Sequence, residues 1–264
     1  MSQQENPLLV EQREGVAYLT MNRPAVLNAL DQGMVEALLA AARQVSEDPE
    51  IRAVVLRGAG RAFMAGGDIG SFQRALPDAP AVIGKLIGPF HDALQILGAM
   101  PKPLITSVHG AVAGAGVSMM LAGDLTVAAE NTQISLAYTR LGTSADGGAS
   151  WSLPRVVGLR KAMEIALLNE AIGAEEALRL SLVNKVVPSD DLDEATAKLA
   201  GKLAAGPTFA LGAMKRLLRT SLDNNFATQL DAEAESFKTC AGTADFAEGV
   251  EAFMAKRPAR FSGR

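Results

Sequence analysis

Two glycine-rich stretches, MAGGDI (Met64–Ile69) and HGAVAGAG (His109–Gly116), are the first places in this chain whose residue types suggest chemistry. Small residues let a backbone come close to a ligand, and amides at a helix start point outward with no intrahelical acceptor. Two such loops side by side would aim two N–H groups at one oxygen. Taken singly, each also serves as a tight turn or as close helix-to-strand packing. Gly114-Ala115-Gly116 lacks the spacing and the acidic partner of a dinucleotide fingerprint. Asp146, in the small-residue run Gly142–Gly148, fits on its own an N-cap for a helix starting near Gly148. The single cysteine, Cys240, has no internal partner, and no residue set has metal-site spacing.

The elements that must position these loops follow from periodicity. Leu8–Gln12 and Val16–Met21, split by Glu14-Gly15, suit a hairpin. Asp31 precedes a helical pattern with Met34, Leu38, Ala41 and Val45 on one face, which makes it an N-cap. The runs Ala53–Leu56, Leu104–Val108 and Leu125–Ala128 are continuously apolar, as strands buried on both faces are. Helical patterns at Ile83–Met100 and Val117–Ala122 separate them, which predicts a mainly parallel sheet with right-handed crossovers. The two glycine loops follow two of these strands, where ligands usually sit. After Gly158 helical patterns dominate: 161–169, 174–181, 192–205, 208–221, 227–238 and 246–256, with Val183–Val187 a short extended piece.

Composition narrows the function classes. The chain has 264 residues, 48% of them hydrophobic, enough for one substantial core but not two full domains. Its formal net charge is -4 and its cations are scattered, which speaks against a nucleic-acid surface. Met1–Pro7 is polar and unlike a signal peptide, and the apolar stretch Leu104–Ala129 is broken by five residues, Gly110, Gly114, Gly116, Gly123 and Asp124, so neither export nor a membrane span is expected. The cytoplasm is the expected location.

Several spaced motifs stand in order along the chain: Asn22-Arg23-Pro24, Leu27-Asn28-Ala29-Leu30, Arg61–Asp68, Lys102-Pro103, His109-Gly110, Ala113–Gly116, Gly123-Asp124 and Leu153-Pro154-Arg155 with Gly158. In that order and spacing they resemble the crotonase (enoyl-CoA hydratase/isomerase) family. The resemblance runs from about Leu8 to Arg260. It implies an α/β fold, a spiral of ββα repeats over residues 1–200, and a C-terminal helical region at 201–264 that supports a homotrimer or homohexamer. It also implies an acyl-coenzyme A thioester as substrate, with no cofactor besides the coenzyme A it carries. The amide donors to the thioester oxygen then fall on Gly67 and Ala115. The same resemblance places Arg23, Ala25, Leu27, Ala65, Asp68, Ile69, Gly114, Tyr138, Leu141 and Lys256 at the substrate. Ala25 departs from the family's common lysine.

The paired glutamates of the family's hydratases correspond to Ser118 and Tyr138, neither of which is a carboxylate base at neutral pH. Asp146 lies where the family's dienoyl-CoA and oxepin-forming isomerases place an aspartate. The tail, from Pro207-Thr208-Phe209 to Lys256-Arg257, is similar to the isomerases of phenylacetyl-CoA catabolism. The expectation is therefore an acyl-CoA isomerase, acting on a ring-1,2-epoxyphenylacetyl-CoA or an enoyl-CoA double bond, with Asp146 as acid and base. Three alternatives stand beside it. One is an enoyl-CoA hydratase with Asp146 positioning water. Another is a hydrolase similar to 4-chlorobenzoyl-CoA dehalogenases, with Asp146 as nucleophile and His91 as base. The third is a non-catalytic acyl-CoA binding protein. Of the remaining polar residues near the loops, His109 reads as a strand-end contact and Asp68 as a cap or brace.

Overall fold

The computed structural model describes residues 6–264, so of the polar stretch Met1–Pro7 only Asn6 and Pro7 lie among them. Strands β1 (Leu8–Arg13) and β2 (Val16–Met21) form the expected antiparallel hairpin. Helix α1 (Gln32–Glu47) follows, and the Asp31 carboxylate caps it by accepting from the Met34 amide at 2.9 Å. Next come β3 (Ala53–Gly58), α2 (Ile69–Ala75), α3 (Ala79–Ala99), β4 (Leu104–Val108), β5 (Ala111–Ala113) and α4 (Ala115–Ala122). They are followed by β6 (Leu125–Ala129), β7 (Gln133–Ser135), α5 (Ala149–Val157), α6 (Leu159–Leu168), β8 (Ile172–Gly173), α7 (Ala174–Arg179) and β9 (Lys185–Val187). The chain closes with α8 (Leu192–Ala204), α9 (Thr208–Thr220), α10 (Phe226–Ala241) and α11 (Ala244–Met254). Among the described residues no helix is long and apolar enough to cross a membrane.

The main sheet has the order β1-β2-β3-β4-β6-β9 and is parallel from β2 onward. Ala53, Val54, Val55 and Leu56 are all fully buried because both faces of the sheet are covered. Val54 and Leu56 join the core under α1 and α3, while Ala53 and Val55 join a second core closed by Leu192, Ala200 and Ala204 of α8. The expected division between 200 and 201 falls inside α8, whose apolar face packs on the sheet.

A single sheet was expected; there are two. The second, β5-β7-β8, is built from strands of two or three residues. Each turn of the chain lays one strand in the main sheet, touches the second layer, then enters a helix. Thus β4, β5 and α4 form one turn, and β6 and β7 begin the next. Earlier turns touch the second layer by single bridges, Met64 to Val112 and Leu30 to Gly67. This is the ββα spiral. Ala111–Ala113, expected as loop, is strand because its backbone is used: the Met64 amide donates to Ala111 O at 3.1 Å and the Ala113 amide to Met64 O at 2.8 Å.

Candidate active site

The register of the second layer decides what meets. Met64 is paired in parallel with Val112, and Val112 with Ile134. Three residues beyond that aligned trio stand Gly67, Ala115 and Ala137, and Tyr138 follows the last. All four line one cavity of about 370 Å3. The two glycine loops run side by side, and a Cβ added at Gly66 would sit 3.2 Å from Ala113 O and 3.6 Å from Gly114 Cα. Glycine is needed there twice over, since Gly66 and Gly114 also adopt φ of +103° and +53°.

Neighbouring amides in these loops are consumed. Asp68 N–H donates to Leu30 O at 2.9 Å and Gly114 N–H to Ser135 O at 3.1 Å. The amides of Gly67 and Ala115 donate to no acceptor among the described residues, and Ala115 opens α4, where an amide has no intrahelical partner. Two free donors on one cavity wall suit an oxygen carrying negative charge.

Asp146 supplies the one carboxylate on the cavity among the described residues. It is not the cap of the following helix: Gly148 holds that position, and the Asp146 side chain turns instead to Tyr138, whose hydroxyl donates to Oδ1 at 2.6 Å. The buried Ser118 hydroxyl donates to the Asp146 carbonyl at 2.8 Å and lies 3.0 Å from the Tyr138 hydroxyl. Burial, then the charge of Asp146 and the hydrogen bond to it, raise the Tyr138 phenol well above its usual 10.0. Tyr138 therefore stays a donor. The other carboxylate oxygen, Oδ2, accepts no hydrogen bond among the described residues.

The rest of the cavity is an apolar wall. Ile83, Leu86, Ile87 and Phe90 come from one face of α3, joined by Leu30, Val35, Phe72 and Leu141. These residues were not singled out from sequence, yet the signal was there: positions 83, 86, 87 and 90 repeat at helical spacing. His91 also lines the cavity, and its Nε2 accepts the Gly147 amide at 3.0 Å.

Of the expected site residues, Gly67, Ala65, Ile69, Gly114, Ala115, Tyr138, Leu141 and Asp146 line the cavity, whereas Arg23, Ala25, Leu27, Asp68 and Lys256 do not. The Arg23 guanidinium is engaged by Asp31 at 2.9 Å, Asp68 at 3.1 Å and Ala29 O. Asp68 caps α2 through the Ser71 amide at 3.0 Å. Leu27 braces the first loop by accepting the Ala65 amide at 2.9 Å, and Ala25 sits exposed on the short turn before it. Lys256 is exposed beyond α11. The His109 imidazole contacts Gly60 O at 2.9 Å, away from the cavity.

Comparison with known proteins gives the family. The family model described as enoyl-CoA hydratase/isomerase matches residues 11–264. The chain is 40% identical over 251 residues to a Rhodobacter capsulatus protein named "Probable enoyl-CoA hydratase", covering 95% of this chain and 96% of that one. It is 38% identical over 259 residues to the 1,2-epoxyphenylacetyl-CoA isomerase of Escherichia coli, covering 97% and 98%. An enoyl-CoA hydratase structure from a Polaromonas species superposes with a TM-score of 0.92 at 34% identity, covering 96% of this chain and 99% of that one. With its spiral of ββα turns and its paired free amides, the chain belongs to the enoyl-CoA hydratase/isomerase family.

Proposed function

We propose that this chain is an acyl-CoA isomerase that moves a proton from one carbon of the acyl group to another, with Asp146 as the sole carrier. The observation that carries the reading is the chemistry around that carboxylate. Among the described residues it is the one carboxylate on the cavity, one oxygen is held by Tyr138, and the two positions where the family's hydratases have glutamates hold Ser118 and Tyr138, each bonded to Asp146. Hydration requires a second group to position water; a 1,3-proton shift needs a single base that first takes and then returns the proton.

In this mechanism the thioester oxygen lies between the amides of Gly67 and Ala115. Asp146 Oδ2 removes the α-proton, and the electron pair moves onto the oxygen as an enolate. Each preorganised donor is worth about 3 kcal/mol against that charge. The protonated carboxyl then delivers the proton to the γ-carbon, and the double bond moves into conjugation. A ring epoxide of an arylacetyl-CoA, the substrate named for the Escherichia coli relative, presents the same acidic α-carbon. No cofactor is required beyond the coenzyme A of the substrate, and we place the reaction in the cytoplasm.

A dehalogenase-like hydrolase is favoured by one observation, that His91 lines the same cavity as Asp146. It is weakened by another, since the Nε2 lone pair already accepts the Gly147 amide.

We also propose a homotrimer or a pair of trimers. Phe226 and Phe253 on the terminal helices are 78% and 82% exposed in the single chain, which suits burial against further copies.

The direct test is a β,γ-enoyl-CoA assayed for migration of its double bond, beside crotonyl-CoA assayed for hydration, with α-proton exchange in deuterated water as a third readout. Migration and exchange with negligible hydration are expected. Fast hydration without migration would replace the isomerase reading with a hydratase.

A further inference from the structure

We infer that His91 is a positioning residue of this site, holding the peptide plane on which the aim of Asp146 depends. The inference rests on the reading that Asp146 carries the proton. The Asp146 carbonyl and the Gly147 amide belong to one peptide unit, and both ends of that unit are gripped. The carbonyl accepts from the Ser118 hydroxyl at 2.8 Å and from the Ala149 amide at 3.2 Å. The N–H donates to His91 Nε2 at 3.0 Å. The three grips come from three helices, α3, α4 and α5.

The segment needs such a grip. Gly142, Gly147 and Gly148 all have left-handed φ, of +70°, +57° and +80°, and a peptide beside glycine reorients at little energetic expense. A side chain cannot stiffen position 147, because a Cβ there would lie 2.7 Å from the Phe90 ring and 2.8 Å from Ser118 Cβ. Hydrogen bonding to the plane is what remains. To accept that amide Nε2 must present a lone pair, so the bond requires the tautomer that carries its proton on Nδ1. The lone pair that fixes the loop is the same one a general base would use, so holding the peptide and activating water through Nε2 exclude each other.

The experiment compares His91→Leu, which fills the volume without an acceptor, with His91→Gln, whose amide oxygen reaches a similar place. Two readouts are taken on the full-length protein: hydrogen exchange of the Gly147 amide, and kcat and KM for migration of a β,γ-enoyl-CoA double bond. In His91→Leu the Gly147 amide is expected to exchange faster and kcat to fall by about a hundredfold, with KM little changed. His91→Gln should restore most of both. Unchanged exchange or unchanged kcat in the leucine variant would overturn the proposal, and so would a glutamine variant that protects the amide yet stays as slow as leucine. Should His91→Leu fail to fold, Ser118→Ala removes the shorter of the two bonds at the opposite end of the same plane, leaving the Ala149 amide, and is expected to give the same pattern in weaker form; normal kcat there would count against the clamp. A wild-type protein that does not isomerise would remove the isomerase reading alone, because amide exchange still reports whether His91 holds the loop.

Discussion

Tyr138 donates a 2.6 Å hydrogen bond to Asp146 across eight residues of sequence, so its hydroxyl is spent on orienting that carboxylate. On the proposed mechanism such a chain has one proton carrier, Asp146, and one holder, Tyr138.

The holder has a pH signature. Burial and the neighbouring Asp146 charge raise the Tyr138 phenol in the folded protein above its usual 10.0, so the native state binds that proton more tightly than the unfolded chain. Its contribution to stability is full below about pH 10 and is lost as pH rises above it, through the folded value. Urea midpoints measured from pH 8 to 11 should therefore fall at the alkaline end, and Tyr138→Phe should flatten that fall. An equal alkaline loss in the variant would show that other groups cause it.

Asp68 gives the opposite sign. Burial pushes its carboxyl upward, but the Ser71 amide and the Arg23 guanidinium outweigh that and hold it below the usual 3.8. Its stabilisation is present above about pH 4 and disappears as pH falls through the lower folded value. Replacing Asp68 with alanine should cost about 1 kcal/mol at neutral pH, as loss of a helix cap does, and should reduce the acid sensitivity. A variant with the same stability as wild type at neutral pH would remove Asp68 as a brace.

For the proposed oxygen-binding amides, the crowding at Gly67 allows two effects to be separated. A Cβ there would lie 2.7 Å from the Phe72 ring. Gly67→Ala should slow turnover in a way that Phe72→Ala relieves, because the N–H is kept. Gly67→Pro removes the N–H, and its loss, about a hundredfold or more, should survive the Phe72 change. Rescue of the proline variant would show that shape, not the donor, matters.

How far the sequence could be read depends on the range of the interactions. Asp31 and Asp68 were legible as local braces because a cap acts within three residues. Gly67 and Ala115 were reachable through the family motif, and the register of Met64 with Val112 explains why they meet. The second sheet escaped notice because Ala111–Ala113 and Gln133–Ser135 are too short to show a period. The family resemblance placed Arg23 at the substrate, while its ion-pair partners, Asp31 and Asp68, are brought to it by the fold. The Tyr138–Asp146 bond depends on left-handed turns at Ala137 and Gly142, which no spacing rule foretells.

Association is tested by sedimentation. A trimer or hexamer at micromolar concentration is expected, and Phe253→Asp, at a side chain 82% exposed in the single chain, should shift the population toward smaller species. A wild-type protein that sediments as a monomer would sink the proposed assembly.

Asp146→Asn is the most demanding test. Asparagine keeps the size of the side chain, and its amide oxygen can still accept from the Tyr138 hydroxyl, so the loop should keep its shape. What it cannot do is take a proton. Turnover and α-proton exchange should therefore both fall by at least about a hundredfold, the low end for a general base. Affinity for an unreactive acyl-CoA should change little, because on the proposed binding mode the thioester oxygen lies at Gly67 and Ala115 and the acyl group against the apolar wall from Ile83 to Phe90, which the substitution leaves intact. Loss of turnover with retained exchange would move the first proton transfer to another group, leaving Asp146 only the return step. Full activity would end the mechanism proposed here, whatever the protein then proves to catalyse.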